Sequence, residues 1–131
     1  MKSARIFGAI AAVILVGCDH QPWDEVIHDR LLALAGPHAD DCGRATTDGE
    51  NRQQSICALD HLQKKQPFIV QYRTAGIDAV TESGFALDSK GKISSVTTFS
   101  WGPSAPVGHI DAALCDPKAL HEDNGGALVC Y

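Results

Sequence analysis

The sequence predicts an α+β domain, with helices packed on one face of a small antiparallel β-sheet. Three observations support this. Apolar residues recur every three or four positions in two stretches before Pro67. Beyond Pro67 the period falls to two. Between two of the alternating runs, Asp88-Ser89-Lys90-Gly91 reads as a hairpin turn with glycine in the left-handed position.

The first helix is expected over Trp23 to Ala35, where Trp23, Val26, Ile27, Leu31 and Leu34 make one apolar face and Gly36-Pro37 the stop signal. The polar stretch "GPHADDCGRATTDGEN" reads as a loop. It leads into a second helix that runs to about Lys65, opened by a capping box at Thr47-Asp48-Gly49-Glu50. Ile56, Ala58, Leu59 and Leu62 supply its modest apolar face.

The first strand, "PFIVQYR", alternates Phe68, Val70 and Tyr72 against Ile69, Gln71 and Arg73. The second, "AVTESGFALD", puts Phe85 and Leu87 on one face, with Gly84 marking a bulge. The third aligns Ile93, Thr97, Phe99 and Trp101. Pro103 and Pro106 make "GPSAPVGH" a loop, because neither can donate to a ladder. Asp116-Pro117 reads as an N-cap followed by proline at the first helical position, giving a short helix to Glu122 that stops at Asn124-Gly125. "ALVCY" is the fourth strand. A three-stranded meander plus this C-terminal strand needs a cover, and the helices supply it.

Ahead of the domain, Lys2 and Arg5 precede the uncharged run Ile6–Val16. As a helix that run is about 16 Å long, too short for a hydrocarbon core of about 30 Å. A positive tip, a short apolar centre and small residues at its end describe a secretory signal peptide. Leu15-Val16-Gly17-Cys18 resembles the lipobox of bacterial lipoproteins. The resemblance implies cleavage before Cys18, a diacylglyceryl group on its thiol and an acylated amine, so that several chains together anchor the protein. Asp19 resembles the inner-membrane retention signal of enteric-type lipoproteins, which favours the periplasmic face of the inner membrane over the outer membrane. The expected organisation is a signal peptide at 1–17, an anchor and short tether at 18–22, and one globular domain at 23–131.

Cleavage removes Lys2 and Arg5 from eleven basic residues, leaving nine against sixteen acidic ones, a net charge of −7. That balance disfavours nucleic acid and anionic headgroups, so membrane attachment has to come from the lipid. With Cys18 lipidated, Cys42, Cys57, Cys115 and Cys130 form an even set on an oxidising side of the membrane. Of the three pairings, Cys42–Cys57 and Cys115–Cys130 are favoured, since each closes a local loop around an expected helix. Loops of that size stabilise by about 3 kcal/mol in the chain-entropy model. A zinc site is the rival, but no two of the four cysteines make a C-x-x-C pair.

No catalytic constellation emerges. Every cysteine has another assignment, no G-x-S-x-G occurs, and the glycines lack phosphate-binding spacing. Glu82 and Asp88 are candidates for an acid–base pair, although scattered carboxylates in an acidic chain usually serve solubility. His38, Asp40, Asp41 and Cys42 form the densest group of ligand types, and a metal carrier or enzyme on the His38–Asp41 turn is the alternative reading. A solvated acidic turn explains those residues as well. Phe99, Trp101 and Pro103 are candidates for a partner-binding edge, while the core face of the third strand is the favoured place for Phe99 and an equal alternative for Trp101. The function expected is a non-enzymatic, lipid-anchored envelope module, in one form an inhibitor or immunity factor. It would bind a protein or envelope component and need no cofactor.

Overall fold

The computed structural model describes residues 23–46, 48–77, 79–100 and 109–131. The expected signal segment, Cys18, Asp19, Trp101 and Pro103 lie outside them. In chain order the elements are α1 (Trp23–Ala35), β1 (Asp40–Ala45), α2 (Asp48–Gln63), β2 (Phe68–Ala75), β3 (Val80–Leu87), β4 (Ile93–Ser100), β5 (Ile110–Cys115), β6 (Leu120–Glu122) and β7 (Leu128–Cys130). The fold is α+β. Strands β1 to β5 form one sheet in sequence order, and β6 pairs with β7 in a separate hairpin.

Only part of the sheet is antiparallel. β1 runs parallel to β2, with α2 as the crossover between them. β2, β3, β4 and β5 then pair antiparallel. β1 falls in the stretch expected to be a loop, and β5 in a stretch assigned to no element. The helix expected at Pro117–Glu122 is instead a turn leading into β6. Asp116 still caps it, accepting the Lys118 amide at 2.9 Å, while Asn124-Gly125 becomes the β6–β7 turn. The Asp88–Gly91 turn forms as expected: Asp88 Oδ1 accepts the Lys90 and Lys92 amides, both at 2.9 Å, and Gly91 has φ +82°.

The two helices cover opposite faces of the sheet, not one. Ile27, Leu31 and Ala35 of α1 pack on Ile69, Ala86 and Val96. On the other face, Ala58 of α2 joins Phe68, Val70, Tyr72, Phe85 and Leu87, with Leu120 and Leu128 of the β6–β7 hairpin completing the cluster. The reason is in β2 and β3, whose alternation is apolar on both faces, so one layer of helices cannot bury them. The crossover helix α2 takes one face. α1 enters β1 through a tight turn, closed by Ala39 N–H to Gly36 C=O at 3.3 Å, and takes the other.

Gly84 marks no bulge, because β3 pairs in unbroken register with β2 and β4. Its function is close approach: a Cβ there would sit 2.5 Å from Leu31 Cδ1 and 2.7 Å from the Val70 carbonyl oxygen. The disulfides are Cys42–Cys57, tying β1 to α2, and Cys115–Cys130, tying β5 to β7. A buried network docks the hairpin: Tyr72 O–H donates to Ser55 Oγ at 2.7 Å, and Ser55 donates to the Gly126 carbonyl at 2.5 Å. Burial pushes the Tyr72 hydroxyl up to about 12.

Candidate functional site

At the end of the sheet where β1 and β2 begin lies a cleft of about 470 Å³, on the α2 face. Leu62, Leu87 and Pro117 give it an apolar floor, and Lys65, Ser89 and Lys90 stand around it. Its parts come from the end of α2, the β3–β4 hairpin and the turn after β5. Lys65 occupies an unusual backbone position. Its amide bonds the Leu62 carbonyl at 3.1 Å and the next amide, of Gln66, bonds the His61 carbonyl at 2.9 Å, which is a Schellman close to α2. That motif needs a left-handed residue where glycine is usual, and Lys65 takes it at φ 55°.

All five lysines other than Lys2 gather at this end: Lys64 and Lys65, Lys90 and Lys92, and Lys118 beside Pro117. Lys64 is paired with Asp60 at 2.7 Å. The other four side chains have no partner among the described residues.

On the opposite face, under the start of α1, sits a second and more polar cleft of about 210 Å³, lined by Glu25, His28, Asp41, Gly43, Arg44 and Gln71. Its inner wall is a buried ion cluster. Glu82 is only 2 % exposed, and its carboxylate is gripped by Arg44 through Nη2 at 2.5 Å and Nε at 3.4 Å. Arg73 Nε approaches it to 3.7 Å and Gln71 Nε2 donates at 3.4 Å. Both guanidinium partners and the amide point inward, so this charge is spent on holding β1, β2 and β3 together.

The candidate ligands of the His38–Asp41 turn are separated by the strand they enter. Successive strand residues point to opposite faces. Asp40 therefore meets His61 of α2 at 2.9 Å, while Asp41 meets His28 of α1 at 3.7 Å. His38 is exposed in the turn before them. Among the described residues, the one group of three ligand types at mutual ligating distance is Cys42, Cys57 and His61, and its sulfurs are joined as a disulfide. His61 Nδ1–H donates to the Cys57 carbonyl at 2.9 Å and Nε2–H to Asp40. The backbone bond, followed by the carboxylate, holds the imidazole above its ordinary range despite opposing burial.

Of the expected partner-binding edge, Phe99 is described. It is 45 % exposed, paired opposite Thr81 at the end of the sheet away from the lysines, and not in the core. Asp88 caps its turn and lies far along β3 from Glu82, so the two carboxylates do not form a pair. Sequence reasoning missed Lys65 and Lys90 as site residues. The signal available was the clustering of lysines at element ends that the hairpin register brings to one level. No protein-family model, curated protein or solved structure matches the chain.

Proposed function

We propose that the protein is a small lipid-anchored lipoprotein of the cell envelope that acts as a binding or accessory module and catalyses no reaction itself. The observation that supports this best is the arrangement of its two faces. α1, which begins five residues after Cys18, starts against Gly43, Arg44 and Gln71 on one face. The lysine-rimmed cleft lies on the other face, at the end of the sheet reached by α1's C-terminus. A helix of 13 residues separates the two ends of α1 by about 20 Å. With Cys18 acylated, five residues of tether reach at most about 18 Å, so the domain rides close to the bilayer with its α1 start nearest the anchor. The cleft then opens toward the periplasm. Asp19, at the position after the anchor, supports retention in the inner membrane.

The test is metabolic labelling of cells with radioactive palmitate, followed by separation of inner and outer membranes. The wild-type protein should take up label and sediment with the inner membrane. Cys18→Ser should take up none and remain unprocessed. Equal membrane association without label in both forms would overturn the anchor reading.

A further inference from the structure

We propose that the lysine-rimmed cleft binds an acidic segment of a partner protein, seating one apolar side chain on the Leu62–Leu87–Pro117 floor between carboxylates held by Lys65 and Lys90. This rests on the reading of the molecule as a binding module and names the chemistry of its partner.

Charge complementarity selects the occupant. The chain is net negative, yet its lysines are concentrated at this one end, and four of them are left without a side-chain partner among the described residues. Asp88 and Asp116 stand nearby, but their carboxylates are turned onto backbone amides, those of Lys90 and Lys92 for Asp88 and that of Lys118 for Asp116. Asp40 also lies at this end, bonded to His61. Four unpaired lysines therefore outnumber the three carboxylates of Asp40, Asp88 and Asp116, and the local field is positive. A ligand that brings carboxylates supplies the missing charges.

The floor narrows the choice further. Its volume falls in the usual range for ligand sites, about 300–1,000 Å³, and its apolar lining is aliphatic. A polysaccharide surface would call for an aromatic platform under the sugar ring, and none lines the cleft. The protein's own bilayer lies toward the start of α1 on the opposite face. A leucine-sized side chain flanked by glutamates meets both the floor and the rim. The left-handed Lys65 adds a structural sign: the chain tolerates a strained backbone to keep a long cation where glycine would serve the helix better.

The experiment uses the full-length lipoprotein in neutral detergent micelles and a capped fluorescent peptide, Gly-Glu-Leu-Glu-Gly, followed by anisotropy. The peptide should bind, and binding should weaken as salt rises from about 20 to 200 mM. Lys65→Gln and Lys90→Gln should each weaken it about two- to fivefold, the scale of a single exposed ion pair. Lys90→Glu should weaken it about tenfold or more, with circular dichroism confirming that each variant is folded. Replacing both glutamates by glutamine, or the leucine by serine, should also weaken it.

No binding at about millimolar peptide would overturn the proposal, as would binding unchanged in Lys90→Glu. A Gly-Glu-Ser-Glu-Gly peptide that binds as well would remove the floor from the site and overturn it too. Tight binding of phosphatidylglycerol vesicles with no peptide binding would show a general polyanion surface, again overturning it. Palmitate labelling of Cys18 is a separate readout, so a failure here leaves the anchor reading standing or falling on its own.

Discussion

Glu82 of β3 and Arg44 of β1 meet across β2, thirty-eight residues apart in sequence, with the carboxylate 2 % exposed and the guanidinium reaching it through two nitrogens. A buried charge is tolerable only while its partners remain. Breaking such a pair by removing one member typically costs about 3–5 kcal/mol, because the survivor is left uncompensated. Glu82→Ala should therefore cost about that much in chemical denaturation. Arg44→Ala should cost less, since Arg73 and Gln71 still face the carboxylate. Equal stability of Glu82→Ala and wild type would refute the account.

At Gly84 the constraint is space. Gly84→Ala places a methyl group 2.5 Å from Leu31 Cδ1 and 2.7 Å from the Val70 carbonyl oxygen. Overpacking of a well-filled core costs about 1–3 kcal/mol, and the backbone contact puts this site at the upper end. Adding Leu31→Ala should relieve only the side-chain part of the clash. Thermal melts of the two single variants and the double variant would show non-additivity between them.

His61 makes stability depend on pH. Its imidazolium is favoured in the folded state first by the Cys57 carbonyl and then by Asp40, so its folded value lies above the 6.5 of an ordinary histidine. The stabilisation is fully present below about pH 6.5 and is lost as pH rises through the raised folded value. Melting temperature should fall over that interval in the wild type. In His61→Gln the same interval should be flatter, and a slope identical to wild type would assign the effect to other groups.

Lys65 should show a trade between stability and binding. A left-handed non-glycine residue costs about 1–2 kcal/mol, partly offset by the greater freedom glycine has when unfolded. Lys65→Gly should therefore raise stability by about 1 kcal/mol at most while weakening the acidic peptide. A variant both less stable and unchanged in binding would contradict both roles given to this residue.

Ser55→Ala removes the hydroxyl that accepts from Tyr72 and donates to Gly126. The Gly126 carbonyl then loses this buried donor and Tyr72 keeps only its bond with the Leu128 backbone, a loss of about 1–3 kcal/mol. The β6–β7 hairpin should loosen first, which hydrogen exchange at Leu128 to Cys130 would report as faster exchange than in β2 or β3.

The regular part of this fold was legible because β2, β3 and β4 alternate, α1 has a 3.6-residue stripe, and the Asp88–Gly91 turn has its own chemistry. β1 was not, because Asp40-Asp41-Cys42-Gly43-Arg44-Ala45 has little strand propensity and is held by backbone pairing with β2 and by a disulfide to α2. β5 was hidden for the opposite reason. It is an edge strand exposed on both faces from Asp111 to Leu114, so no alternation marks it. Asp116-Pro117 carries a real capping signal, but the Cys115–Cys130 bond draws β7 alongside and the segment turns into β6 instead. The cysteine pairing could be read because short local loops close easily. The cleft could not, since its three contributing segments are distant in sequence and adjacent only through the sheet register. Glu82 looked like one carboxylate among many, and nothing local distinguishes it from the solvated ones.

Among the four cysteines that follow Cys18, the disulfides join neighbours in chain order, Cys42 with Cys57 and Cys115 with Cys130. In a chain that crosses a membrane N-terminus first, Cys57 follows Cys42 into the oxidising space well before Cys115 arrives. With Cys18 acylated as proposed, the first bond has no wrong partner at the moment it forms, and the second has none left when its turn comes. In a protein exported as proposed, such connectivity lets simple oxidation during translocation finish the covalent structure, with no reshuffling of bonds afterwards.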